Sequence, residues 1–258
     1  MVGHRRSHRR KYLRYKNYVG IAYKERAMLV DELEKKLRPP ELDLKPYPPK
    51  VVILASGEKM VVREAVRDEI GVLLDTVHPL MGVAKDYYDI VAARMYAELL
   101  GWYRFRVANE FVLVGAIDGE IAGIVNSRLV DRDVGMSLHT LTVKRGLRVG
   151  AQLFAAKMEH HLEILGQKEV WIVAESPIGF RRWMIEYSLE NREHLYPGVH
   201  HELGGVPTYV LTRELYNAVR DQKVSGTRPI EPELLATADH LKPPEEYPQI
   251  PGYRRSRQ

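Results

Sequence analysis

Residues 140–154 read TLTVKRGLRVGAQLF, and their reading decides the fold. The first part continues 136–143 (MSLHTLTV), a β-branched run that predicts a strand. The last part opens a helix that runs to about Leu165, with Gly166 as a C-terminal stop. Between them lies a basic, glycine-containing loop, Lys144–Gly150. The first turn of a helix has backbone N–H groups with no partner inside the helix, and the helix dipole is positive there. A pyrophosphate bound at that point is stabilised by both effects. Phosphate approaches the backbone closely only past small residues, which Gly146, Gly150 and Ala151 supply.

Upstream, Phe111–Ile117 and Glu120–Leu129 read as strands joined by Asp118-Gly119, a strong hairpin signal. Residues 58–64 (EKMVVRE) form a short strand by length and β-branching. Residues 66–77 and about 86–100 show apolar residues at helical spacing. Downstream, Val170–Ala174 is a short buried-type strand and 178–191 a helix. Two last strands fit about 194–202 and 206–213, joined by Gly204-Gly205. The order β-α-α-β-β-β-α-β-α-β-β predicts an α/β (α+β) fold, with a mixed central sheet of about seven strands and flanking helices. We assign residues 51–217 to this domain. Residues 1–50 hold a basic arm, an amphipathic helix over 21–37 and a Pro-rich linker over 38–50. Residues 218–258 form a Pro-rich tail, expected to be extended apart from a helical turn near 232–240.

The composition narrows the function classes. The chain of 258 residues is 45% hydrophobic and 28% charged, a globular balance. It has no cysteine, which excludes disulfides, thiolate zinc sites and cysteine nucleophiles. No run of eighteen apolar residues exists to span a membrane, and no apolar segment follows the basic N-terminus as in a secretory signal. A cytoplasmic location is the expectation. Residues 1–16 carry seven Arg and Lys and no acid, more than the whole net charge of +5. A cationic arm of this kind suits nucleic acid or another polyanion; a solvated tail is the competing reading.

The stretch 140–154 resembles the cofactor-binding motif of the GNAT N-acetyltransferases, a strand ending Leu-x-Val followed by Arg-Gly-x-Gly-x-Gly. Leu141 and Val143 match the strand, and Arg145, Gly146 and Gly150 match the loop. Arg148 stands where the family usually has its middle glycine. With the element order, the resemblance spans about 155 of the 258 residues. It implies acetyl-CoA as acyl donor and an amine as acceptor. The pyrophosphate would lie on Arg145, Gly146, Arg148, Val149, Gly150 and Ala151. The backbone of Leu141, Thr142 and Val143 would meet the pantetheine arm where the strand splays from Val170–Ala174.

Amine acylation needs a base poised near neutrality, an oxyanion donor and a weak acid. His139 is the candidate base, because His139, Leu141 and Val143 share one strand face by the period of two. A half-buried structural histidine is the competing reading. The family's acid is a tyrosine in the helix after the fifth strand; here Met184 occupies its place, and Tyr187 lies three residues on. Tyr187 is the candidate acid, with a packing role as the alternative. His160-His161 and His200-His201 lack partners at metal-ligand spacing and read as surface or packing residues. Met81, Tyr87 and Tyr88 fall where the family's substrates approach. A catalytically inactive module of a larger assembly, a virion or nucleoprotein particle joined through the tails, is the alternative function.

Overall fold

The computed structural model describes residues 32–172, 176–192 and 209–247. The chain divides into two compact units, Met1–Pro40 and Glu41–Gln258. In the first, residues 32–36 are helical and Leu33 and Leu37 are exposed; the basic arm lies outside the described residues.

The second unit is built on one sheet of eight strands: β1 (Lys50–Ile53), β2 (Lys59–Glu64), β3 (Glu110–Ile117), β4 (Glu120–Leu129), β5 (Val134–Thr142), β6 (Glu169–Ile172), β7 (Glu190–Asn191) and β8 (Tyr209–Thr212). Their order is β1-β2-β3-β4-β5-β6-β8-β7. Neighbours pair antiparallel, except β5 and β6, which are parallel. The sheet is therefore mixed, as the meander and crossover require, with β1 added at the edge. The strand expected over 194–202 lies outside the described residues.

Helices cover both faces. α1 (Ile70–Val77) and α2 (Tyr88–Tyr103) lie on one face, α3 (Val149–Glu159, continuing as a π-helical turn His160–Ile164) on the other. Leu73, Met95 and Leu99 pack on Val112, Val114, Leu141 and Val143. Val149, Leu153 and Ala156 pack on Phe111, Leu113 and Val125. Burying each such aliphatic side chain contributes about 1.5–3 kcal/mol, so packing rather than helix propensity holds the layers. The helix expected over 178–191 is shorter. α4 (Pro177–Gly179, continuing as π-helix through Phe180–Ile185) stops before Ser188, whose left-handed φ of 51° ends it, and the chain turns into β7. Met184 and Tyr187 join Phe154 and Met158 of α3 and Tyr216 of α5 (Arg213–Lys223) in a third cluster.

Two expectations about the flanks are corrected. Within the Pro-rich linker, Tyr47 and Lys50 are buried, because both donate to the Glu159 carboxylate at 2.6 and 2.7 Å. Residues 218–247 pack on the sheet rather than running extended, and the helical turn expected near 232–240 is present. Arg228 reaches the other oxygen of Glu159 at 2.9 Å, and Thr227 bridges to Val51. α6 (Pro232–Ala238) lays Ala238, Leu234 and Leu235 on Val51, Val61 and Ala116. The Ile121 N–H then donates to Lys242 O at 3.1 Å. The prolines punctuate this segment, while Ile230, Leu234, Leu235 and Leu241 give it apolar surface to bury.

Candidate functional site

Among the described residues β5 pairs with β6 from Val134 to Ser137. Beyond Ser137 it keeps its β4 partners, Thr140 with Val125, Leu141 with Ile124 and Thr142 with Gly123. Among the described residues nothing pairs with it on the β6 side. At the same level β5 bulges. The β4 register passes from Ser127–Ser137 to Val125–Thr140, so Asn126 alone faces Leu138 and His139. The Asn126 side-chain oxygen accepts the His139 N–H at 3.0 Å. A bulge bends its strand and re-aims a side chain. Here it brings His139 to α2, the face that also buries Leu141 and Val143, while Thr140 and Thr142 turn toward α3.

The loop after β5 contains two left-handed residues, Gly146 at φ 85° and Arg148 at φ 62°. Arg148 is the N-cap of α3 and gives it no side-chain cap. The Arg148 carbonyl accepts from Gln152 at 3.2 Å, so the amides of Val149, Gly150 and Ala151 precede the first intrahelical bond. Gly150 sits directly over β5; a Cβ there would lie 2.6 Å from Thr142 Oγ1. These groups border a cavity of about 290 Å³, lined also by Thr140, Arg145, Arg182 and Trp183. Lys144, Arg145 and Arg182 are paired with Glu120, Asp86 and Glu186 at 3.3, 2.7 and 3.0 Å. Arg148 is exposed and has no carboxylate partner among the described residues. A dianionic group entering this cavity meets a helix N-terminus and an uncommitted guanidinium. One expected contact is not available: the Val143 N–H already donates to Ala122 O at 2.8 Å, and its side chain is core. Leu141 likewise contributes its side chain to the core, and Thr142 lines the cavity.

The cavity continues inward. A chamber of about 50 Å³ shares Thr140, Ser176, Gly179 and Trp183 with it and is also lined by His139. His139 is 6% exposed, and its Nε2 lies 3.2 Å from Glu98 Oε2 on α2. Asn126 Nδ2 donates to Glu98 and, at 3.0 Å, to Glu110 at the start of β3. Burial pushes the Glu98 carboxyl up, but the charge and hydrogen bond of His139, the Asn126 amide and Arg128 together bring it below the usual range. Glu98 is therefore a carboxylate at neutral pH. Burial, with the charge of Glu98 added, pushes Glu110 up to about 8, so this second carboxyl is mostly protonated at pH 7. Behind the strand Lys157 is fully buried and donates to His139 O at 3.2 Å.

The sequence reading missed Glu98, Asn126, Glu110 and Lys157. Only Lys157 carried a signal, a lone cation among Phe154, Ala155, Ala156 and Met158. Tyr187 lies away from His139 and borders a third cavity with Arg148, Ala151 and Trp183. It is 3% exposed, packs edge-on against Phe154 at 5.3 Å, and lines neither cavity just described. Burial raises its phenol, which makes it a worse acid still. Trp183 instead occupies the inner wall, stacked on Phe154 at 4.1 Å. Of the residues flagged near the acceptor side, Tyr88 reaches the cavity and donates to Thr142 O at 3.1 Å, Tyr87 is exposed and Met81 packs on the core. His160 and His161 are fully buried rather than superficial, and His200-His201 lie outside the described residues. Among the described residues no group of three or more His, Asp or Glu could hold a metal ion, and no helix is long and apolar enough to cross a membrane.

No family model and no curated protein matches this chain. Solved structures similar to it include an uncharacterized protein from Bacillus halodurans, 13% identical, with 69% of this chain and 97% of that one covered at a TM-score of 0.49. A second is Mycobacterium smegmatis RimJ in complex with CoA-disulfide, 10% identical, covering 70% and 95% at 0.45. A third is the PaiA N-acetyltransferase from Thermoplasma acidophilum in complex with coenzyme A, 12% identical, covering 59% and 98% at 0.41.

Proposed function

We propose that the chain is an N-acyltransferase of the GNAT type, which binds acetyl-CoA along β5 and passes the acyl group to an amine. One observation carries this reading: a helix N-terminus, the β5 backbone at Thr140 and Thr142 and a histidine beside a carboxylate line two adjoining cavities that share Thr140, Ser176, Gly179 and Trp183. The residues fit such a donor. The amides of Val149, Gly150 and Ala151, with Arg148, would hold the pyrophosphate; Thr140 and Thr142 would flank the arm. The thioester supplies an activated acyl group. His139, beside Glu98, takes the amine proton, and the Glu98 carboxylate stabilises the imidazolium that forms. The same imidazolium returns its proton to the leaving group, which removes the need for Tyr187.

The test is calorimetric titration with acetyl-CoA, followed by acetylation of a broad amine and peptide panel. Saturable binding that is lost in Gly150→Val, with the far-ultraviolet circular dichroism unchanged, supports the site. Equal affinity in that variant removes it. A second reading is favoured by the position of Tyr187 in the core: a non-catalytic module of a larger assembly. Tight cofactor binding without turnover on any acceptor would establish it. We further propose that residues 1–16 bind nucleic acid or another polyanion, in the cytoplasm or within such an assembly.

A further inference from the structure

The inner chamber has a shape that a donor site does not require in general. Its floor is the side of an aromatic pair. Phe154 of α3 and Trp183 of α4 stack at 4.1 Å with their planes 10° apart, and both rings line the chamber together with Ile172. Phe154 has little room to move away, and Trp183 is half-buried. Phe154 is 1% exposed and is gripped edge-on by Tyr187 on its other side. Trp183 is backed by Gly179, where an added Cβ would lie 3.5 Å from its ring. The chamber holds about 50 Å³. An apolar protein cavity that accepts benzene measures ~150 Å³, about three times as much. By that proportion the smaller space takes about two carbons beyond the thioester carbonyl; a longer or branched chain does not fit.

We propose that the Phe154–Trp183 pair is a chain-length stop that restricts the acyl donor to acetyl and propionyl thioesters. The inference rests on the donor reading above and adds the specificity-determining residues. A pantetheine arm laid along Thr140 and Thr142 delivers its acyl group past Thr140 into this chamber, where the two rings block further extension. Close packing makes the limit sharp, because each surplus methylene in a full pocket costs roughly 10–200-fold in discrimination.

The experiment measures the affinities of coenzyme A, acetyl-, propionyl-, hexanoyl- and benzoyl-CoA by calorimetry, for the full chain and for Phe154→Ala and Phe154→Leu. No acceptor is needed. In the wild type, acetyl- and propionyl-CoA should bind alike and hexanoyl- and benzoyl-CoA at least about tenfold more weakly. Phe154→Ala should narrow or invert that ratio while leaving the affinity for coenzyme A itself within about threefold. Phe154→Leu retains more of the core and should shift the ratio in the same direction by less, which covers the case where the alanine variant does not fold. Wild-type affinities independent of acyl length, or ratios unmoved in both variants, overturn the proposal and leave the donor site standing. No binding of coenzyme A at all removes the donor reading first, and the length stop with it.

Discussion

β4 carries two neighbouring polar residues that face opposite sides of the sheet, and each serves a buried histidine. Asn126 holds the backbone of His139, whose ring meets the charged Glu98 beside a cavity. Ser127 bonds the ring of His161, whose other nitrogen meets the neutral amide of Gln167 in a sealed interior. Burial drives His161 down to about 3, and its neighbour His160 down to about 4, so both are neutral at any ordinary pH. The comparison teaches that burial by itself marks a histidine as structural. A buried carboxylate partner and an opening to a ligand-sized space together mark one as reactive.

The sharpest way to break this contrast is to remove each imidazole. His139→Ala should lower acetyl transfer by roughly 10²–10⁴-fold, with cofactor affinity nearly unchanged. His139→Gln should be almost as damaging, since it keeps polarity but takes no proton. The measurement is the pH dependence of acetylation in wild type and both variants; an acid limb that survives in both excludes His139 as the base.

On the structural side the expected effect is on stability. His160 lies edge-on to Phe111 at 4.4 Å, and burial lowers it to about 4 from an unfolded value near 6.5. Between those values the unfolded chain binds the proton and the folded chain does not. Its contribution is thus complete above pH ~6.5 and is lost as pH falls toward 4, by about 3 kcal/mol in all. Replacing His160 with Leu should flatten the acid side of a denaturation series between pH 7 and 4. An unchanged slope would show that other groups set acid stability.

Glu98→Gln sharpens the comparison from the partner's side. The imidazolium loses its counter-charge, and the acetylation rate should fall about 10-fold, less than with loss of the ring itself. A larger loss than in His139→Ala would make Glu98 the principal group. Glu110 has the opposite linkage to His160. Its folded value, raised to about 8 from 4.5, means that its contribution is whole below pH ~4.5 and lost as pH rises through 8. Glu110→Gln should therefore gain thermal stability over wild type as pH goes from 5 to 8.5; a constant difference would show that the carboxyl is ionised throughout. The smallest effect at the site is expected from deleting residues 1–16. Cofactor affinity should not change, while polyanion binding should lose its steep salt dependence. A truncated chain that binds nucleic acid as tightly as the full one would make the arm a solvated tail.

The loop at 144–150 was legible because its chemistry is local: a strand, a basic loop with glycines and a helix start are consecutive in the chain. The same holds for the β3–β4 hairpin, where Asp118-Gly119 sits between two apolar runs, and for the face shared by Leu141 and Val143. His139 was nominated by that face, and the period of two holds from His139 to Val143, past the bulge opposite Asn126. What the chain order could not show is anything joined across it. Glu98 meets His139 from a helix 41 residues earlier, and as one charge among others on α2 it looks like solvated surface. Tyr187 keeps a plausible spacing on paper, yet the early end of α4 and the ring of Trp183 send it into the core. The Pro-rich C-terminal segment looked unable to pack because prolines deny regular structure, but its few apolar side chains find a sheet face left bare by α1 and α2. Sequence by itself determined the local geometry, since backbone preference and hydrophobic period act within a few residues. Only the tertiary structure decided which charges face which, because desolvation and pairing depend on what the rest of the chain brings into contact.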